Sequence, residues 1–235
     1  LFARVAAQAE AADASGFDTV MVMDHFYQLP MLGEPSDPML ECYTTLAALS
    51  QRTSRVRLGA LVTGNTYRNP ALLAKIVTTL DIVSGGRAQL GIGAGWFELE
   101  HTALGFEFGT FSERFDRLEE ALQIVLPMLR DERPTVEGRY YRVREAINQP
   151  SPIGRIPVMI GGSGERKTLR MVAQYADGGP PQARCPGGAL RAPGSGPLRD
   201  HGEPAGRLRH RAHRRRGVRR GQGVPAATWP GLRRA

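Results

Sequence analysis

The feature that most constrains this chain is an alternation running through residues 1–178. Short apolar runs of strand length are separated by segments with helical periodicity, four times over. The runs are Phe17–Met23, Val56–Val62, Ala88–Gly93 and Ile156–Ile160. Ahead of the first, Phe2, Val5, Ala6, Ala9 and Ala12 recur at helical spacing, and Gly16 stands where a C-terminal cap is expected. Further helices are expected over Tyr43–Gln51, Ala71–Val83, about 112–129 and about 165–175. Pro70 falls in the first turn of its helix, where a missing N–H costs no bond. The segment after Ser112 presents Phe115, Leu118, Ala121, Leu122, Val125 and Leu129 on one side. A strand that is apolar along its whole length must be covered on both faces, and helices between strands provide that cover. The expected class is therefore α/β with a parallel sheet.

Composition divides the chain in two. The whole has 235 residues and a net charge of +8, slightly short of the ~250 residues typical of an α/β barrel. Residues 179–235 hold 13 Arg against Asp200 and Glu203, a balance of +11, which leaves −3 for residues 1–178. Leu, Ile, Val and Phe together number six in those last 57 residues, against 11 Gly and 8 Pro. So little apolar surface does not offset the entropy of ordering a chain, roughly 1–2 kcal/mol per residue. The boundary is expected at Gly178, with no folded second domain after it. Arginine-, glycine- and proline-rich sequence is also what a GC-rich gene yields in a shifted reading frame, so the tail is expected to be disordered or frameshifted. No run of 18 apolar residues occurs, so no membrane partner is expected. Cys42 and Cys185 make no disulfide framework, and Leu1–Arg4 show no signal-peptide zones, so a cytoplasmic setting is expected.

Function in parallel α/β folds gathers at the carboxyl ends of the strands. The four runs end in Asp24-His25-Phe26, Thr63-Gly64-Asn65-Thr66, Gly93-Ala94-Gly95-Trp96 and Gly161-Gly162-Ser163-Gly164. His25 is either an acid/base or a loop hydrogen-bonding residue, and Asp24 either a ligand group or a cap. Gly91-Ile92-Gly93-Ala94-Gly95 fails the dinucleotide fingerprint, because Trp96 occupies the last glycine position. Gly161–Lys167 combines small residues, a helix N-terminus and basic side chains, which suits an anion; a tight turn is the plain alternative. Cys42 reads as a packed thiol. There is no H-E-x-x-H, no paired C-x-x-C and no P-loop, so neither a metal nor a nucleoside triphosphate is expected.

Six ordered blocks carry a resemblance. They are Phe17–Phe26, Arg57–Thr63, Tyr67–Lys75, Ser84–Arg87, Leu90–Trp96 and Ile160–Leu169. Together they resemble the luciferase-like monooxygenase superfamily, in its actinobacterial branch of oxidoreductases dependent on the deazaflavin coenzyme F420. The resemblance implies a TIM-type (β/α)8 barrel and hydride transfer between the deazaflavin and a small organic substrate. It implies that Asp24 and His25 meet the ring, with His25 beside the substrate as acid or base. It implies a non-proline cis peptide near Ala60-Leu61, with Thr63 close by, and Ala94 and Gly95 along the ring or its side chain. Gly161, Gly162, Ser163 and Gly164 would take the cofactor phosphate. FMN, in a monooxygenase using molecular oxygen, is the alternative cofactor.

Two departures stand against the family pattern. Sugar-phosphate dehydrogenases of the superfamily carry a carboxylate where this chain has Trp96, and Glu98 and Glu100 are out of register. A sugar phosphate is therefore not expected, and Trp96 is expected to shape an apolar pocket. The first strand and the later βα units are also expected to be missing, so the barrel is expected to be incomplete, with activity in doubt. An inactive fragment, or a nucleic-acid binder acting through the tail, is the reading of another class. Only Trp229 is there for base stacking, so no nucleic acid is expected. A homo-oligomer is left open.

Overall fold

A computed structural model describes residues 1–162 and 167–176. Its elements follow the expected alternation. Helix α1 (Phe2–Ala14) precedes β1 (Thr19–Val22), and α2 (Cys42–Ser50) precedes β2 (Arg57–Ala60). A short β3 (Thr63–Gly64) and a 3-10 turn, Asn65–Tyr67, lead into α3 (Pro70–Val83), then β4 (Leu90–Gly93). Helices α4 (Glu98–Leu104) and α5 (Phe111–Leu129) come next, then a hairpin of β5 (Val136–Glu137) and β6 (Arg142–Val143). The described part closes with β7 (Val158–Gly161) and α6 (Lys167–Tyr175).

Local chemistry sets the helix starts. The Glu41 carboxylate accepts the amides of Tyr43 and Thr44, and Asn69 Oδ1 those of Ala71 and Leu72. Thr110 and Glu113 form a reciprocal capping box at α5. Strands β1 and β2 pair in parallel, as do β3 with β4 and β4 with β7. A parallel bridge between Leu58 and Ala88 ties the two ladders together. The sequence order of β1, β2, β4 and β7 is thus their spatial order, as in a (β/α) barrel. Helices α2, α3 and α5 press Leu46, Leu49, Leu73, Val77, Leu118 and Leu122 against Leu58, Leu90 and Ile92 of the strands, all within one buried cluster.

Three findings amend or sharpen the sequence reading. The apolar run Val56–Val62 is not one strand: its ladder with β1 ends at Ala60, and pairing resumes at Thr63. The non-proline cis peptide expected near Ala60-Leu61 is found at Leu61–Val62. Residues 60–62 are uniformly apolar, so side-chain pattern alone does not locate the break. Helix α4 and the β5–β6 hairpin were not expected; both are too short to show a periodic signal.

The glycine block earns its place through packing. A Cβ on Gly91 would run into the Ala60 carbonyl, and one on Gly93 or Gly161 would come within 2.9 or 2.7 Å of Val62 Cγ2. These glycines let strands and the Val62 side chain approach closely, which a phosphate-loop reading of the same residues does not capture. The Ser84–Arg87 block has an equally local reason. The Arg87 guanidinium donates to the carbonyls of Ser50, Thr53, Val56 and Ser84 and to Thr53 Oγ1, at 2.7–3.0 Å. It thereby joins the turns that precede β2 and β4.

Among the described residues no helix is long and apolar enough to cross a membrane. The expected boundary at Gly178 and the arginine-rich tail lie outside the described residues. Replacing Arg87 by Leu leaves five acceptors without their charged donor and is expected to cost about 2–4 kcal/mol of stability. Urea denaturation checks this, with Arg87→Lys recovering only part of the loss because an ammonium lacks the guanidinium fork.

Candidate functional site

Parallel pairing brings the expected strand ends to one end of the sheet. There Asp24, His25, Leu61, Val62 and Thr63 line one part of a cleft of about 150 Å³, and Gly64, Tyr67, Gly95 and Trp96 line the rest. Leu61 and Trp96 are both about half exposed, while Ala60 and Ala94 are buried behind the wall. The Thr63 hydroxyl is also buried and shares a 2.6 Å hydrogen bond with the Tyr43 hydroxyl.

Asp24 is buried and fully engaged. Arg68 grips it with two nitrogens at 2.6 and 2.9 Å, and the Gly64 amide donates to Oδ2 at 3.1 Å. Arg68 also donates to Glu41, the α2 cap, at 2.8 Å, and lies over the Tyr43 ring. A buried charge left alone is costly, so this pairing is what allows Asp24 to sit under the cleft.

His25 is held by a residue that the sequence reading set aside. Its Nδ1 lies 2.8 Å from Glu100 Oε2, and Glu100 is wholly buried. Glu100 also accepts the amides of Phe26 and Tyr27, at 2.5 and 2.7 Å, and the Tyr67 hydroxyl at 2.6 Å. Burial alone would raise its carboxyl pKa, but the bonds from His25, Tyr67, Tyr27 and Phe26 outweigh that and hold it below the usual carboxylate range. Glu100 stands in the first turn of α4, a helix of seven residues that is too short to give a periodic signal in the sequence. The Trp96 and Phe97 rings each meet the His25 ring edge-on, with centroids 5.8 Å apart.

Beside Glu100, His101 ties the loop after β4 to the turn after β3. Its Nδ1–H donates to the Phe97 carbonyl at 2.8 Å, and its Nε2 accepts from the Thr66 hydroxyl at 2.6 Å. Arg114 fastens the same loop through the Gly95 carbonyl at 3.1 Å.

At the end of β7, Gly162 has φ +146°, where a Cβ would meet Thr168 Oγ1 at 2.9 Å. Thr168 is buried, and its hydroxyl has no hydrogen-bond partner among the described residues. Lys167 turns its ammonium to Ser112 Oγ on α5, at 3.0 Å. Ser163, Gly164 and Arg166 of the expected anion loop lie outside the described residues. Cys42 is a buried, free thiol whose pKa burial pushes up. No group of three or more His, Cys, Asp or Glu suited to a metal occurs among the described residues.

A parallel α/β layout with a cleft holding Asp24 and His25 at the strand ends defines the class, and comparison with known proteins supplies the family. Residues 2–189 match the family model described as luciferase-like monooxygenase, and the chain belongs to that family. It is 36% identical over 168 residues to the F420-dependent glucose-6-phosphate dehydrogenase of Microbacterium testaceum, covering 71% of this chain and 48% of that protein. The enzyme of the same name from Segniliparus rotundus is 37% identical over 168 residues, with the same coverage. The chain thus spans about half the length of the curated relatives it matches. Among solved structures it is similar to an F420-dependent secondary alcohol dehydrogenase in complex with an F420-acetone adduct. There the TM-score is 0.65 and the identity 26%, covering 75% of this chain and 52% of that one. The monooxygenase RslO1 from Streptomyces bottropensis gives a TM-score of 0.63 at 26% identity, covering 74% and 51%.

His101 generates a pH prediction. Burial lowers its pKa, against the opposing pulls of the Phe97 carbonyl and the Glu100 charge, with Arg114 lowering it further. The unfolded chain therefore binds the extra proton more readily than the folded one. This stability is complete above the unfolded value of ~6.5 and is lost as pH falls through the lower folded value. Thermal melts between about pH 7 and 5 should show that decline, and His101→Gln should flatten it. The Glu100 contribution follows in a lower window, present above the ordinary carboxylate pKa of ~4.3 and lost below it.

Proposed function

We propose that this site transfers a hydride between coenzyme F420 and a small organic substrate bearing a hydroxyl or carbonyl group. The observation that carries the reading is His25, an imidazole locked on a buried carboxylate at the rim of an apolar cleft. The similarity to two F420-dependent dehydrogenases supports it, as does the similarity to an F420-dependent alcohol dehydrogenase.

The residues fit such a cofactor. Leu61, Val62 and Gly95 offer a wall against which a planar ring system can lie. The buried hydroxyl of Thr168, without a partner among the described residues, suits a phosphate oxygen beside Gly161 and Gly162, with Ser163 and Gly164 assigned to the same group. Bound there, the deazaflavin supplies the carbon that takes up or releases the hydride. His25 takes the proton of a substrate hydroxyl as the hydride leaves the adjoining carbon, and returns it in the reverse direction. Asp24, held by Arg68, keeps the strand end beneath the ring in place, and Ala60, Thr63 and Ala94 back that wall. Trp96 presents an apolar face to the substrate, which favours a carbon skeleton over a phosphorylated sugar. The site belongs to the unit 1–178, and the mechanism uses no residue of 179–235. The proposed compartment is the cytoplasm, in keeping with the free thiol of Cys42. A monooxygenase with FMN as its cofactor is the second reading, and the similarity to monooxygenase RslO1 favours the monooxygenase part of it.

A titration of the purified chain with F420 and with FMN, followed by cofactor fluorescence, decides between them. Saturable F420 binding is expected; FMN binding alone would replace the reading with the monooxygenase one, and binding of neither would end both. His25→Asn is expected to lower kcat by about 10²–10⁴ with cofactor affinity retained. Thr168→Val is expected to weaken cofactor binding by roughly tenfold, about the worth of one hydrogen bond to a charged group.

A further inference from the structure

Glu100 has more hydrogen bonds to the site than any family motif residue named above, and their chemistry is restrictive. The amides of Phe26 and Tyr27 can only donate, and both fall on Oε1. The Tyr67 hydroxyl and His25 Nδ1 both fall on Oε2. An ionised carboxylate has no proton to give, so every partner on it must donate. We infer that Glu100 is a positioning residue: it fixes His25 as the Nδ1–H tautomer and leaves Nε2 as the proton acceptor in the cleft. The inference deepens the hydride-transfer reading, since it concerns the acid/base on which that reading rests.

Three further observations support it. The bonds that lower the carboxyl pKa keep Glu100 ionised at neutral pH, so it stays an acceptor. His25 is fixed from two sides, because Glu100 holds both the ring and the two backbone amides that follow it. The edge-on Trp96 and Phe97 rings restrict ring rotation, and no hydrogen-bond partner of Nε2 stands among the described residues. When Nε2 takes up the substrate proton, the imidazolium faces a carboxylate 2.8 Å away, and the carboxylate remains ionised. The pair spans 75 residues of sequence, joining the loop after β1 to helix α4.

Glu100→Gln separates positioning from mere structural support. The Gln oxygen must face the two amide donors, because its NH₂ cannot accept from them. The NH₂ then faces His25 and Tyr67, and Nδ1 becomes the acceptor, which moves the ring proton to Nε2. The experiment labels histidine with ¹⁵N and reads the His25 ring nitrogens at neutral pH, assigning them by their loss in His25→Asn. The wild-type chain is expected to show Nδ1–H and Glu100→Gln to show Nε2–H. A fall in kcat of about 10²–10⁴ should accompany the inversion, with cofactor affinity changed by less than about threefold. A wild-type chain that is chiefly Nε2–H, or a variant that keeps Nδ1–H, overturns the inference. If Glu100→Gln does not fold, the wild-type spectrum decides, together with Tyr67→Phe, which removes one donor and should keep Nδ1–H. The expected tautomers in a chain without F420-linked turnover would support the positioning role while overturning the hydride-transfer reading.

Discussion

Parallel pairing is the constraint on which the rest of this structure depends. Strands that run the same way need a crossover after each one, and a helix is the compact crossover that also covers the sheet. Because β1, β2, β4 and β7 pair in that sense, their carboxyl ends and the loops that follow them share one end. His25 and Phe26, after β1, are 75 and 74 residues from Glu100, after β4, yet lie within hydrogen-bond distance of it. The glycines of β4 and β7 allow this, since they admit Val62 and the Ala60 carbonyl where a side chain would hold the strands apart.

On that frame sit two buried charged groups, each made tolerable by its partners. Asp24 rests on Arg68 and the Gly64 amide, and Arg68 in turn reaches the cap of α2. Glu100 collects four donors from two segments, residues 25–27 and Tyr67. Such groups are strongly destabilising when one partner is lost, by about 3–5 kcal/mol for a buried pair. They therefore act as positional locks: Asp24 lines the cleft, and Glu100 holds His25 and Tyr67, which line it. The aromatic cluster of Phe26, Tyr67, His101 and Phe106 shields the Glu100 end of this network. Hydride transfer between bound partners needs little covalent help from a protein; it needs reacting atoms held close and a proton acceptor held still. Under the proposed function, the geometry around His25 serves the second need.

Much of this was legible in the sequence, and particular residues show where legibility stopped. The four apolar runs, the cap at Asn69-Pro70 and the amphipathic face of α5 each rest on a local pattern, and each recurs in the structure within a few residues. Asp24, His25, Thr63 and Gly95 were readable as strand-end residues, and the structure gathers them in one cleft. Glu100 was not readable as a partner of His25. Helix α4 has seven residues, too few for a period to emerge, and Glu100 was read only as out of register with the family's carboxylate position, which Trp96 occupies. Once α4 exists, its first turn carries Glu100 to the His25 ring and to the amides of Phe26 and Tyr27.

By itself the sequence determined the alternation of strand and helix, the direction of the strands and the end of the sheet where polar groups would collect. Those follow from periodicity and from the crossover that parallel strands require. Only the tertiary structure decided which polar groups touch. A carboxylate at position 100 and an imidazole at position 25 become partners because the adjacent β1, β2 and β4 bring the segments after β1 and β4 together. The same packing decided that the glycine block serves close approach of strands, a contact between residues about 30 positions apart that no local pattern records.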